Sequence, residues 1–389
     1  MKNPLRKRFF RELREEIGKY LVVFILMAAT IGFVSGFLVA DGSMLTAYDN
    51  SFQKYNIEDG KFETEEKIYK NQQEDIEKKG VTLYENFYIE KALLNGTTLR
   101  IFKNRTKVDK VCLMKGRLPE KTGEIAIDRM YADNNKLSVG DSLQSGKRKW
   151  KITGLVALSD YSALFQNNND TMFDAVKFGV AVVTDEEFNS FNESQLVYNY
   201  AWTYTHKPKT EIQEKKKSED FMEEISKDVT LEEFVPQYLN QAIHFTGDDM
   251  GGDRAMIIVL LYIVIAIMAF VFGITTSNTI RKEAGVIGTL RASGYTKNEL
   301  IRHYMFMPLL VTFIGAIVGN ILGYTVFKNV CADMYYGSYS LPTYVTLWNA
   351  EAFLLTTVIP VFIMFVVNYA ILHRKLKLSP LKFLRRDLS

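Results

Sequence analysis

The chain has 389 residues, of which 47% are hydrophobic, and it carries two cysteines and a formal net charge of +3. So small a charge gives no indication of a nucleic-acid partner, and we expect none. The mean hydropathy of −0.06 is an average over charged and strongly apolar segments, so it does not exclude a membrane protein.

The first 40 residues predict a membrane anchor with a helix before it. Residues 20–40 carry no charge and match the ~20 apolar residues that a spanning helix needs. This apolar run is longer than that of a signal peptide, so we expect the helix to be retained. Apolar residues recur at helical spacing among basic ones upstream, which favours an amphipathic helix in the inner headgroup layer over a plain basic flank: Leu5, Phe9, Phe10, Leu13 and Ile17.

Residues 41–254 form a polar block that predicts an inserted α+β domain. Charged stretches predict exposed helices at Glu65–Lys79 and Lys209–Lys227, and Thr184 is placed to cap a short helix. Runs rich in Val, Ile, Tyr and Phe predict strands at Val81–Ala92, Thr98–Phe102, Glu124–Asp128, Trp150–Leu158 and Phe178–Val183.

Residues 255–389 contain three further candidate spans and end in a basic tail. The spans are Ala255–Ile280, Tyr304–Phe327 and Ala352–Leu372, and we expect Pro308 and Pro360 to kink the last two. Small residues recur along the spans at positions that let helices pack closely, within the chain or against a second subunit: Gly32, Gly36, Gly273, Gly315, Gly319 and Gly323. No Asp, Glu, Lys or Arg lies within the four apolar cores, which argues against an ion-coupled carrier.

The distribution of charge predicts the orientation of the chain. Residues 1–19 hold seven Lys/Arg against three Glu, residues 281–303 hold five against two, and the tail from His373 holds six against one Asp. Residues 41–254 are acidic, with 29 basic and 37 acidic side chains. Because Lys and Arg mark the cytoplasmic flanks of membrane helices, we expect both termini in the cytoplasm and residues 41–254 outside the cell membrane.

Sequence motifs give no indication of catalysis by this chain. There is no phosphate-binding G-x-x-x-x-G-K-[ST] loop, no H-E-x-x-H, no C-x-x-C and no G-x-S-x-G. The four histidines are scattered, and the acidic group before the second span is more typical of a solvated linker than of a cation site. We therefore expect no catalytic residue, no metal and no cofactor on this chain; whether Cys112 and Cys331 pair stays open.

The connection at residues 281–300 is the most informative short segment. Val286, Ile287 and Leu290 predict the apolar face of a short helix, which Gly294 would end before Thr296 caps the third span. Exposed apolar residues on a cytoplasmic loop need a partner surface, so the segment is interpreted as a docking site.

This connection resembles the signature of the FtsX-like, or MacB-type, permeases of the ABC transporter superfamily. The matching residues are Arg281, Glu283, Gly285, Ile287, Leu290, Arg291, Ala292 and Gly294. Ala284–Gly285 and Ser293 depart from the usual pattern. The polar block adds four short matches in the family's order, at residues 116–119, 124–127, 137–141 and 152–154.

The resemblance implies an α-helical membrane protein with four spans and an extracytoplasmic α+β domain inserted between the first two. It implies a separate ABC ATPase, itself a dimer, that carries ATP and Mg and docks on Arg281, Glu283, Ile287, Leu290 and Arg291. It also implies a second permease chain, identical or paralogous, within the membrane lipid. Movement of the outer domain would then serve export or handling of peptide, lipid or lipoprotein cargo, as in efflux or resistance to antimicrobial peptides.

Other functions stay open at the level of sequence. The chain could be a sensor that signals through a partner kinase, or a subunit that activates a cell-wall hydrolase. A membrane-tethered enzyme is disfavoured by the missing catalytic motifs. A channel is disfavoured because the spans carry no ring of charge.

Overall fold

The computed structural model describes the backbone of residues 4–385 and the side chains of residue 14 and residues 16–385. The predicted headgroup helix at Leu5, Phe9, Phe10 and Leu13 therefore lies outside the described side chains. Ile17, the last residue of that stripe, is exposed.

In chain order, the helices and strands are α1 (Pro4–Lys54), β1 (Gly60–Thr64), α2 (Lys70–Glu77), β2 (Val81–Glu85), β3 (Tyr88–Ala92), β4 (Thr98–Lys103), β5 (Cys112–Gly116), β6 (Glu124–Asp128), α3 (Arg129–Asn134), β7 (Ser142–Ser145), β8 (Arg148–Ala157), β9 (Phe178–Val183), α4 (Asp185–Asn189), β10 (Tyr198–Tyr204), α5 (Glu211–Ile225), β11 (Leu231–Pro236), α6 (Gln241–Lys282), α7 (Ala284–Ala292), α8 (Lys297–Leu322), α9 (Lys328–Ser338), α10 (Ala350–Phe353), α11 (Ile359–Lys375) and α12 (Pro380–Leu384).

The chain divides into two compact units. The first, called the helical unit, contains residues 1–42, 252–333 and 346–389. The second, called the sheet unit, contains residues 43–251 and 334–345. The predicted fold class, four membrane helices with an α+β domain inserted after the first, is confirmed.

Four helices in the described part of the chain are long and apolar enough to cross a membrane. They cover Glu16–Lys54, Gln241–Lys282, Lys297–Ser338 and Ala350–Lys375. The last two contain π turns, at Gly323–Phe327 and Leu354–Val358. Pro360 is the second residue after the second π turn, whereas Pro308 lies inside α8 without interrupting it. Large apolar side chains remain exposed along all four spans, as expected of surfaces that face lipid.

The sheet unit contains two sheets. One has four antiparallel strands in the order β11-β1-β10-β2. The other follows the order β3-β4-β9-β6-β8-β5, with β7 paired to β8, and is mixed because β4–β9 and β6–β8 are parallel pairs. Trp150, Trp202, Tyr131 and Tyr200 are fully buried in the cores of this unit.

Every predicted strand is present, although one is divided in two, and the structure contains further strands that were not predicted. Glu124–Asp128 and Phe178–Val183 are confirmed with the same bounds. Val81–Ala92 is interrupted at residues 86–87, and its two halves form β2 and β3, which belong to different sheets. The predicted helix at Glu65–Lys79 is shorter than expected, because α2 begins only at Lys70. The sequence reasoning missed β1, β5, β7, β10 and β11.

Residues 334–345, between the third and fourth spans, belong to the sheet unit rather than forming a simple loop. The Arg129 guanidinium donates to the backbone carbonyls of Tyr336 and Tyr339, both at 2.7 Å. The backbone N–H of Ser340 donates to the Ser162 carbonyl, and its hydroxyl donates to Asp128. This segment is therefore built into the hydrogen bonding of that unit.

Candidate functional site

The connection between the second and third spans is a short helix with well-defined ends. Gly294, at φ 99°, ends α7 in the left-handed region, and the N–H of Tyr295 donates back to the Leu290 carbonyl at 3.0 Å. Thr296 and Glu299 then form a capping box at the start of α8. The predicted stop at Gly294 and cap at Thr296 are both confirmed, because these residues satisfy the backbone locally.

The C-terminal tail returns to cover α7. Ser379 caps α12 by accepting from the N–H of Lys382, and Pro380 occupies its first turn. A Cβ on Gly288 would lie 2.8 Å from Leu384 Cγ, so only glycine permits this approach. Among the described residues, α7, α12 and the neighbouring spans share one buried apolar cluster: Ile280, Ala284, Ile287, Leu300, Ile301, Tyr304, Met305, Leu372, Leu376 and Phe383.

Two polar contacts hold α7 from either end. The Arg291 guanidinium donates to the carbonyls of Leu376 and Leu378, at 3.0 and 3.1 Å, and so fastens the tail at the C-terminal end of α7. The Tyr304 hydroxyl donates to Glu283 Oε2 at 2.6 Å, which joins the N-terminal end to α8. Hydrogen bonds to charged groups are worth more than neutral ones, so these contacts make α7 a rigid part of the helical unit.

The structure places the five residues of the predicted docking set in different environments. Ile287 is completely buried, so the expectation that it forms an exposed apolar face is wrong; the tail already covers it. Leu290 packs half-buried against the same cluster, while Glu283 and Arg291 make the contacts described above. Arg281 alone of the five is exposed.

The exposed face of α7 consists of other residues. Val286 keeps 43% of its surface exposed. Thr289, Ala292 and Ser293 continue this face, and Lys282 joins Arg281 beside it. We call the set Arg281, Lys282, Val286 and Thr289 the α7 face.

The small residues of the spans lie mostly where α1 and the third span, Lys297–Ser338, approach each other. A Cβ on Gly36 would lie 2.5 Å from Phe327 Cβ, and one on Gly319 would lie 2.8 Å from the Ile31 side chain. Gly32, Gly315 and Gly323 face the same pair of helices, whereas Gly273 faces Ile371 of α11. These glycines therefore bring helices together within the chain.

A polar network crosses this packed region. The Ser35 hydroxyl donates to Asn320 Oδ1 at 2.8 Å, and the Thr356 hydroxyl donates to the same oxygen at 3.1 Å. The Asn320 amide donates to Thr357 Oγ1 at 3.0 Å. The network links α1, α8 and the second π turn.

The sheet unit contains a group of buried charged side chains. Arg105 forms a two-bond ion pair with Asp160, at 2.6 and 2.7 Å. Asp109 accepts from the backbone N–H of Glu58 at 2.8 Å. Burial raises the pKa of Glu58 to about 7, against the partial compensation of Lys61 and Arg105. Arg105 and Asp160 pair with each other, whereas the buried Glu58 Oε2 and Arg105 Nε make no hydrogen bond. We assign the cluster to folding because its charged groups are buried against one another.

Within the described residues, no group of three or more His, Cys, Asp and Glu side chains could hold a metal ion. Cys112 and Cys331 are free thiols, both buried.

The sequence reasoning missed α12 as the cover of α7. The signals were present in Ser379–Pro380, a helix start, and in the apolar Leu381, Phe383 and Leu384 that follow. Gly288 was also missed, because a glycine in a short helix shows its purpose only when the partner is known.

Comparisons with known proteins found one family match and a match to a solved structure. The family described as FtsX-like permease C-terminal matches residues 258–376. No curated protein matches the sequence. Among solved structures, the extracellular domain of the noncanonic ABC-type transporter YknZ from Gram-positive bacteria matches with 11% identity, covering 43% of this chain and 94% of that one, at a TM-score of 0.25.

Proposed function

We propose that this chain is an FtsX-like permease, the permease subunit of an ABC transporter complex whose separate ATPase docks on the α7 face. The match of residues 258–376 to the FtsX-like permease C-terminal family supports this proposal. The observation that carries this proposal is the construction of α7. A short helix between two spans is held rigidly on one side and leaves an apolar residue, Val286, exposed on the other.

Rigidity matters because a docking helix must transmit force. The buried cluster joins α7 to α6 through Ile280, to α8 through Leu300 and Tyr304, and to the tail through Phe383. Close-packed interiors deform little, so a push on α7 would move the attached spans rather than bend the connection. ATP and Mg would bind to the ATPase, and this chain would supply only the mechanical element.

The five residues that the family resemblance suggests for docking divide into two roles under this proposal. Arg281 belongs to the α7 face and contacts the ATPase directly. Glu283, Ile287, Leu290 and Arg291 hold α7 in place and act on docking indirectly. Substitutions in the two groups should therefore fail in different ways.

Transmission across the membrane would use α1 and α6. Both are longer than the ~20 residues that a span needs, and the outer part of each belongs to the sheet unit. We place both termini and α7 in the cytoplasm and residues 41–254 outside, following the charge distribution. Two permease chains, identical or paralogous, would pair over an ATPase dimer, and cargo would be peptide, lipid or lipoprotein.

The docking step is tested with Val286→Glu. The chain is co-expressed with ABC ATPases of its own genome, taking adjacent genes first, and co-purification and ATP hydrolysis are measured. We expect Val286→Glu to lose the ATPase by at least ~10-fold, with an unchanged melting temperature, because surface substitutions seldom alter stability by more than ~0.5 kcal/mol. Val286→Thr, of similar shape and without charge, is the matched control. Wild-type co-purification of Val286→Glu would refute the assignment of the α7 face.

The orientation is tested with single added cysteines, since both native thiols are buried. Met172→Cys labels the sheet unit at a residue that is 69% exposed, and Thr289→Cys labels the α7 face. A membrane-impermeant maleimide applied to intact cells should modify Cys at 172 and leave Cys at 289 unmodified until the membrane is opened. The reverse pattern would overturn the orientation.

A further inference from the structure

A groove lies on the surface of the helical unit between α8 and α11, away from the α7 face. Its volume is about 460 Å³. Asn298, Arg302, Phe306 and Leu309 line it from α8, and Phe365 and Tyr369 line it from α11. Ile301 and Met305 form its buried floor. Ile301 and Met305 belong to the buried cluster beneath α7, and Leu309 packs against it. The other lining residues take no part in the contacts described above.

The groove is polar at one end and apolar for the rest of its length. The lining positions of α8 follow a spacing of three and four residues, so they form one face of the helix. From Asn298 to Leu309 this face rises by roughly 16 Å at ~1.5 Å per residue, close to the ~15 Å depth of one leaflet's hydrocarbon. The polar residues, Asn298 and Arg302, lie at the end of α8 where the chain leaves the membrane.

The polar end is also electropositive. In the described part of the chain, Arg302 makes no hydrogen bond or ion pair, and it is exposed. Next to the groove, Lys297 Nζ lies 3.2 Å from Nε2 of His373, and His373 packs on Tyr369 with ring centroids 5.6 Å apart. Arg374 and Lys375 follow in the last turn of α11. One acidic residue, Glu299, lies in the first turn of α8.

We propose that this groove binds one anionic phospholipid of the leaflet that borders α7, with its phosphate on Arg302 and Asn298 and an acyl chain along Phe306, Leu309 and Phe365. The order of groups in the groove matches the order of groups in such a lipid: anion, then hydrocarbon. A basic end on an apolar groove between spans is the arrangement that recognises anionic headgroups. Tyr369 lies at the level where aromatic side chains favour the interface.

A helix of a second chain is the rival occupant of the groove, and the geometry favours the lipid. A spanning helix needs apolar contact over the full ~30 Å of hydrocarbon, whereas the groove covers about half of that depth. A second helix, being apolar, would also supply no anion to the basic end of the groove at Arg302.

The test uses tryptophan fluorescence and brominated lipids on the full-length chain. Trp150 and Trp202 are buried in the sheet unit, so Trp348→Phe removes the remaining, exposed tryptophan. Phe306→Trp then reports from the groove, and Phe313→Trp reports from the same helix two turns further on, outside the groove lining; the two positions are 50% and 49% exposed. Each protein is placed in vesicles that mix brominated phosphatidylglycerol or brominated phosphatidylcholine with the unbrominated other lipid.

At position 306 we expect quenching to show a preference for phosphatidylglycerol of roughly five-fold, which corresponds to the ~1 kcal/mol gained per basic residue at an anionic surface. At position 313 both lipids should quench equally. Arg302→Gln should remove the preference at 306, Arg302→Lys should keep it, and Arg374→Gln, an equal loss of charge outside the groove, should leave most of it.

Three results would overturn the proposal. They are equal quenching by both lipids at 306, a preference at 306 that survives Arg302→Gln, and absence of quenching at 306 by either lipid while 313 is quenched. The last result would mean that protein covers the groove. No ATPase enters this experiment, so its outcome is separate from the test of docking.

Discussion

Removing the buried side chain of Ile287 should release the tail from α7. Ile287 is completely buried and shares its cluster with Leu376 and Phe383, so Ile287→Ala leaves a cavity at the contact between α7 and α12. Truncations of this kind cost about 2–5 kcal/mol. The five-residue α12 has this contact and the bonds of Arg291 as its main attachment, so most of the loss should appear as local opening of the tail.

Hydrogen exchange measured by mass spectrometry reports this opening directly. A loss of at least ~2 kcal/mol corresponds to about 30-fold faster exchange of the backbone amides in residues 376–385. Val286→Ala is the matched control, since it removes a neighbouring apolar side chain that is exposed, and its exchange should stay at the wild-type rate. Wild-type exchange of the tail in Ile287→Ala would refute the view that α12 depends on the core of α7.

Three further predictions concern packing and buried charge. Gly36→Ala should lower the melting temperature of the purified chain, because the added Cβ would lie 2.7 Å from the backbone nitrogen of Lys328 in the third span. Gly18→Ala should leave the melting temperature unchanged, because a Cβ at residue 18 would have no atom within 4 Å. Glu58→Gln should flatten the pH dependence of the free energy of unfolding. A carboxyl whose pKa rises to about 7 on folding contributes stability below pH 4.5, and this stability is lost as the pH rises through 7. The variant should therefore be more stable than the wild type by about 2–3 kcal/mol at pH 8 in denaturant titrations. Arg105→Met should cost about 3–5 kcal/mol in the same titrations by leaving Asp160 buried without a counter-charge, and adding Asp160→Leu should restore most of the loss; equal stability of the single and double variants would contradict this account.

Patterns within short windows of the sequence were enough for much of the fold. The spans are recognisable because a run of ~20 uncharged apolar residues is typical of a membrane helix. The strands Glu124–Asp128 and Phe178–Val183 are recognisable because β-branched residues cluster between polar ones. Gly294 and Thr296 define helix ends through bonds to residues a few positions away. The missed β10 contains four aromatic residues in seven and could have been recognised in the same way.

Other features depend on partners far away in the chain, and no local pattern contains them. By itself, the sequence determined four membrane helices, an inserted α+β domain and a short helix between the second and third spans that ends at Gly294. Only the tertiary structure decided that Ile287 points inward, because the residues that cover it lie almost a hundred positions later. It likewise decided that residues 334–345 join the sheet unit and that a groove opens beside Arg302. Burial is a property of pairs of surfaces, and a single segment shows only one of the two.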